Sequence, residues 1–341
     1  MISVAIKCKY ILSTAFLLLL MYTLQAQTPL MLFGDTTATG VPFSKDPYVL
    51  KFNGKYLMYY SKKDPHNTNT NTGWSIGIAQ SSNLIDWEKI GEIRPARAYE
   101  KKGICAPSAI IKDGKVHLFY QSYGNEAKDA ICHAISADGI HFERDASNPV
   151  FHPNGDWTNG RAIDAEVCLY DHTYYLYFAT RDPGGKIQKL GVATAPEATD
   201  FSRACWKQAS DCSILQPEFK WEGNCIEAPS VIVQDDTFYM FYAGNYNNAP
   251  QQIGLAVSKD GLHWKRVTNN PFLANGKPGS WNTSESGHPD IFRDSDGATY
   301  LFYQGNNDNG KSWYISKLKI DWQKGTPYVN HTANAIQFTK Q

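Results

Sequence analysis

One unit recurs five times in this chain, and that recurrence limits the folds open to it more than any other feature. The copies read DPYVLKFNGKYLMYYS from 46, APSAIIKDGKVHLFYQS from 106, DAEVCLYDHTYYLYFAT from 164, APSVIVQDDTFYMFYAG from 228 and HPDIFRDSDGATYLFYQG from 288. Each is an apolar strand, a short polar turn and a strand rich in Tyr and Phe. The small residue near the start of each copy falls at Pro47, Pro107, Ala165, Pro229 and Pro289, giving steps of 60, 58, 64 and 60 residues. A second piece follows three of the hairpins, SSNLIDW at 81, SADGIHF at 136 and SKDGLHW at 258, with a degenerate relative near Thr194 to Phe201. Each ends in an aromatic residue expected to pack between sheets. Turn signals, NG at 53 and DG at 113, 138, 260 and 296, join the strands. Each period therefore holds about four strands, the content of one propeller blade, and five periods predict an all-β, five-bladed β-propeller.

The first 26 residues do not belong to this pattern. Lys7 and Lys9 precede an apolar run from Tyr10 to Leu24 and then Ala26, the layout of a secretory signal peptide, with the mature single domain expected over 27–341. The apolar run falls short of the roughly 20 residues that span a bilayer. A periplasmic or extracellular protein with no membrane span after cleavage is expected. Six cysteines remain beyond Cys8, and Cys205 and Cys212, flanking CWKQASDC, are the expected disulfide pair, whereas Cys105, Cys168 and Cys225 lie in strand-like runs and read as buried thiols. Lys plus Arg equals Asp plus Glu at 33 each, which gives no reason to expect nucleic acid or an anionic membrane as partner.

In a propeller the first strand of each blade lines the central channel, so residues beside the small position converge although about 60 residues separate them. Read off in order, these are Asp46, Cys105 with Ala106, Asp164, Glu227 with Ala228, and His288. Three carboxylates and a histidine gathered at one mouth of a channel repel or raise one another's pKa, a cost that a purely structural site has no reason to keep.

At these residues the chain resembles the family 43 glycoside hydrolases, five-bladed propellers that cleave arabinose- and xylose-containing plant polysaccharides. The resemblance runs from about 40 to 322 and rests on a spaced triad: Asp46 in KDPYV, Asp164 in AIDAEV and Glu227 in IEAPSV, with Gly287-His288 in SGHPDI as a further shared feature. Blade two departs from it with Cys105-Ala106-Pro107 where many members have Trp-Ala-Pro. Blade three has Ala165 for the usual Pro and adds Glu166, a same-face neighbour and the first rival for any role of Asp164.

The resemblance implies an inverting hydrolase in which Glu227 is the acid, Asp46 the base and Asp164 the group between them. Glu227, flanked by Ile226, Ala228 and Pro229, is expected to have the raised pKa of an acid catalyst, held up further by Asp164. His288 is read as a hydrogen-bond donor to the sugar, a ligand for a metal or water in the channel, or a core histidine, Arg161 as a substrate contact or an exposed loop arginine, and Trp74, Trp157, Trp221 and Trp281 as surfaces for sugar stacking, most of the nine tryptophans being expected to pack between blades. No cofactor is expected to be required, with a structural calcium in the central channel left open. The expected partner is an oligosaccharide or polysaccharide, met by a monomer. An exo-acting α-L-arabinofuranosidase or β-xylosidase-like enzyme is expected; a hydrolase for galactose-type or anhydro-galactose residues and a non-catalytic carbohydrate-binding propeller stay open.

Overall fold

Two-residue turns with both residues at positive φ match the right-handed twist of the strands they join, and this chain uses them in four of its five inner hairpins. They are Asn53-Gly54, Asp113-Gly114, Asp171-His172 and Asp235-Asp236. The computed structural model describes residues 31–64, 66 and 73–330, so the expected signal peptide and its cleavage point lie outside the described residues.

The hairpins grow into five sheets of four antiparallel strands, as the repeat predicts. Blade one holds β1 (Lys45–Phe52), β2 (Lys55–Lys63), β3 (Trp74–Ser81) and β4 (Glu88–Ile93). Blade two holds β5 (Ile104–Lys112), β6 (Lys115–Ser122), β7 (Ile131–Ser136) and β8 (Glu143–Arg144). Blade three holds β9 (Ile163–Tyr170), β10 (Thr173–Arg181), β11 (Gln188–Pro196) and β12 (Lys207–Gln208). Blade four holds β13 (Ile226–Gln234), β14 (Thr237–Gly244), β15 (Gln252–Ser258) and β16 (Lys265–Arg266). Blade five holds β17 (Glu285–Arg293), β18 (Thr299–Asn306), β19 (Tyr314–Gln323) and β20 (Thr326–Val329). Among the described residues no helix is long and apolar enough to cross a membrane.

Aromatic residues weld neighbouring blades. Phe142 meets Tyr59 at 5.7 Å, Trp264 meets Tyr177 at 5.6 Å and Trp87 meets Phe302 at 6.2 Å, so the aromatic ending each second piece does pack between sheets. Phe201 fills the same place against Phe119 at 5.3 Å, and Trp322 against Tyr239 at 5.1 Å. Tyr59 and Tyr177 also donate to the carbonyls of Gly139 and Gly261 at 2.8 and 3.0 Å.

Closure uses one substitution of partners. In blades two to four the chain leaving the blade pairs back onto its own third strand, Phe151 on Ile131, Leu215 on Leu190 and Leu273 on Ile253. In blade five that place on Ile315 is taken by Phe33 from the other end of the chain. The expected Cys205–Cys212 disulfide is not formed: Cys205 sits in a short 3₁₀ turn with its thiol on Asp200 at 3.2 Å, and Cys212 lies on the exposed loop beyond β12 against Ser210.

Candidate functional site

Each inner strand carries the same irregularity at the same place. Asp46, Ala106, Asp164, Ala228 and His288 adopt φ of 49°, 47°, 53°, 49° and 42°, left-handed values that cost a non-glycine residue on the order of 1–3 kcal/mol. Bulges accompany them, with register breaks between Lys45 and Tyr48, Cys105 and Ser108, Ile163 and Glu166, Glu227 and Ser230, and Gly287 and Asp290. A bulge re-aims the side chains beside it. Five bulges at one end of one channel therefore turn five pairs of residues toward a single point. Side chains of neighbouring blades hold the strained peptides: Gln304 Oε1 accepts the Asp46 N–H at 3.0 Å, Ser61 Oγ that of Ala106 at 2.8 Å and Gln121 Oε1 that of Asp164 at 2.5 Å.

The residues expected to meet do meet. Asp46, Asp164, Glu227 and His288 are buried and line one open cleft of about 520 Å³. His288 stands between two of the acids, with Nδ1 at 3.0 Å from Asp46 Oδ1 and Nε2 at 3.2 Å from Glu227 Oε1. Burial disfavours its charged form, but the Asp46 charge, the Glu227 bond and the Asp164 charge outweigh burial and raise its pKa to about 9. The imidazole is thus a cation clamped between two carboxylates.

The acidities of Asp164 and Glu227 reverse the sequence expectation. Burial pushes Asp164 up to about 7, with Glu227 and Asp46 adding to the rise against the pull of His288, and its Oδ2 is buried without a hydrogen bond. Burial also pushes Glu227 up, but it is overridden by the His288 bond and charge, the Gln251 amide and Lys45, and its pKa falls below the usual carboxylate range. Gln251 Nε2 donates to Glu227 Oε1 at 2.7 Å, and Gln188 Nε2 donates to Oε2. Ile226, Ala228 and Pro229, which suggested a dry carboxyl, line the blade; the donors arrive from elsewhere in the ring.

Glu227 lines the cleft alone, whereas Asp46, Asp164 and His288 also line the channel of about 320 Å³ beneath it. Glu166 belongs to that channel. Two residues beyond the strained position in blades two to five, a side chain accepts a backbone N–H of the next blade: Ser108 from Val167 at 3.3 Å, Glu166 from Val231 at 2.9 Å, Ser230 from Ile291 at 2.9 Å and Asp290 from Val49 at 2.8 Å. Glu166 is a member of this ring and does not reach the cleft.

Arg161 lies buried in the cleft wall, with Nε 3.3 Å from Asp129 Oδ2 and Nη1 3.1 Å from Gln188 Oε1. Trp74 lines the cleft, but Lys63 and Lys45 lie over its ring at 4.5 and 5.2 Å, so it holds cations where a bare stacking face was expected. Trp157, Trp221 and Trp281 pack on Phe178, Tyr242 and Tyr303. Sequence reading missed Lys45, Gln188, Gln251 and Arg181. Two of these had a signal: Trp74, Gln188 and Gln251 each stand three places before a glycine of a third strand, one repeat position whose residues line the cleft in blades one and three and hold Glu227 in blade four.

Asp164, Glu227 and His288 bring one potential ligand atom each within 4.8 Å of one another, a span that a cation could bridge. Both His288 nitrogens face carboxylates, so a cation held by this set would displace the proton of the ring. In the channel, burial pushes Glu166 up to about 8 and Asp290 well above the usual range.

Residues 39–327 match the sequence profile described as Glycosyl hydrolases family 43. A relative, the 1,2-beta-oligomannan phosphorylase of Thermoanaerobacter sp. (strain X514), is 27% identical over 222 residues, 62% of this chain and 67% of its own. A thermostable family-43 glycoside hydrolase of known structure aligns over 87% of this chain and 96% of its own, at 23% identity and a TM-score of 0.65. Endo-1,4-beta-xylanase from Bacteroides thetaiotaomicron VPI-5482 aligns over 84% and 94%, at 21% identity and a TM-score of 0.64. These two structural likenesses are of fold.

Proposed function

The chain belongs to glycoside hydrolase family 43, and from that premise we propose that it is a secreted, monomeric, inverting glycosidase with Glu227 as general acid, Asp46 as general base and Asp164 as the group that sets their protonation. One observation carries the reading: a single imidazole, with contacts of 3.0 and 3.2 Å on its two sides, separates the carboxyls of Asp46 and Glu227. That separation favours the inverting class, whose carboxyls stand about 6.5–9.5 Å apart to admit a water, over the ~5–5.5 Å of a retaining pair.

Inversion then runs through this chain's own side chains. Asp46 takes a proton from a water on one face of the sugar while Glu227 passes one to the departing oxygen on the other. Glu227 rests as an anion, so its proton comes from the set it belongs to, in which Asp164 and His288 hold protons near neutral pH. Arabinofuranosides and xylosides remain the proposed substrates on the family resemblance, with exo action.

Phosphorolysis is the second reading, favoured by the name of the oligomannan relative and by Lys45, Arg161 and Arg181 in the cleft wall. Against it stands Asp46, whose carboxylate would face a phosphate dianion entering from the water side. A panel of nitrophenyl pentosides and hexosides, run in phosphate-free and phosphate buffers, decides between the two. Free sugar of inverted configuration at early times, independent of phosphate, is the expected result. A sugar 1-phosphate product would replace hydrolysis with phosphorolysis, and no turnover of any glycoside would leave a binding propeller.

A further inference from the structure

We propose that the substrate of this cleft carries a carboxylate, seated between Arg161 and Arg181 on the Glu227 side of the cut. The inference rests on the cleft being the sugar site proposed above. Both guanidinium groups converge on one neutral acceptor: Arg161 Nη1 and Arg181 Nε each donate to Gln188 Oε1 at 3.1 Å. Gln188 in turn holds Glu227, which fixes the arginine pair beside the acid.

Their remaining N–H groups point to an anion. Arg161 uses Nε on the buried Asp129, and among the described residues its Nη2 makes no hydrogen bond. The one carboxylate within ion-pair distance of Arg181 among the described residues is Glu126, at 3.9 Å, and Glu126 is 84% exposed and screened by water, so Arg181 has no buried counter-charge among them. On the other side of the cleft Lys45 is buried within reach of Trp74, Trp313 and Asn247, with no carboxylate within ion-pair distance among the described residues. Of the acids facing these cations, Asp46 and Glu227 share the His288 cation, Asp129 holds Arg161, and Glu285, behind Lys45, is tied to Gln304 at 2.7 Å; Asp164, which also acts on Arg161, is pushed by burial up to about 7. A neutral sugar on the Glu227 side of the cut would leave the arginine fork unmatched. A carboxylate fits its planar, bidentate geometry.

The test is equilibrium binding to the full mature chain of D-galacturonate and D-glucuronate, against D-galactose, D-glucose and inorganic phosphate. The uronates should bind about tenfold or more tighter than their neutral counterparts, the scale of a charge-assisted pair. Arg181→Gln should bring that ratio close to one, and Arg181→Lys should keep part of it. Equal binding of acidic and neutral sugars, no uronate binding, or an Arg181→Gln loss that falls equally on both would overturn the proposal. Phosphate binding more tightly than either uronate, and lost with Arg181, would assign the seat to inorganic phosphate and overturn the acidic sugar. The hydrolytic reading fails separately: Glu227→Gln, expected to lose turnover, should keep the uronate preference.

Discussion

Asp164 is the residue on which the chemistry of the cleft turns, because its pKa of about 7 lies where the enzyme would work. If it stores the proton that Glu227 delivers, kcat/KM should fall as pH rises through about 7. In Asp164→Asn that limb should vanish while kcat drops roughly 10²- to 10⁴-fold. An unchanged basic limb in the variant would remove Asp164 from the proton store. Glu227→Gln should lose activity on the same scale yet recover part of it on substrates with a good leaving group, which need little protonation. Asp46, Asp164, Glu227 and His288 could be located without coordinates because the repeat frame aligns them. Their order of acidity could not, since it depends on Gln188, Gln251 and Lys45, which arrive from other strands and blades.

At the scale of strands, the bulged inner strands separate two layers that sequence merges. Asp164 and Glu166 are two residues apart on one face, and only the register of the ring shows that the first opens into the cleft while the second caps Val231. Glu166→Gln should therefore keep kcat near wild type under conditions where Asp164→Asn loses it, and a matching loss in both would return Glu166 to the mechanism. A second element device was not read from sequence at all. Ahead of blades two and four, buried Glu100 and Glu222 each accept from two backbone N–H groups, a second-strand tyrosine and an arginine, Arg144 or Arg266. The strands announce themselves by alternation and turn residues; these knots carry no periodic signal, being short 3₁₀ turns whose partners lie some 20 to 44 residues on. Glu222→Ala strands Arg266 without its buried counter-charge and should cost about 3–5 kcal/mol, measurable as a lowered denaturant midpoint. A loss under about 1 kcal/mol would mean that the pair contributes no more than a surface ion pair.

Over the whole molecule, the propeller gathers along its axis a column of groups that the fold keeps protonated. Asp164 and Glu285 lie at about 7, Glu166 at about 8 and His288 at about 9, all above their unfolded values. Burial is the leading cause for the three acids, while for His288 the surrounding carboxylates outweigh it. A group whose folded pKa is raised contributes stability that is complete below its unfolded pKa and is lost as pH rises through the folded value. The four act in the same direction, so stability should decline from about pH 4 upward, the three carboxyls contributing up to about pH 7 to 8 and His288 from about 6.5 to 9. On the acid side His117, lowered to about 4 by burial and its His133 neighbour, works oppositely, its contribution being lost as pH falls from about 6.5 toward 4. Thermal unfolding should therefore give a higher Tm at pH 6 than at pH 9, while between pH 4 and 6 the three carboxyls oppose His117. Glu166→Gln copies the neutral acid, so its effect should depend on pH: close to neutral at pH 4 and stabilising at pH 9, where the wild-type carboxyl must ionise inside the channel or unfold the ring. If Glu166→Gln shifts Tm equally at both pH values, Glu166 ionises without cost, and the alkaline decline belongs to the cleft alone.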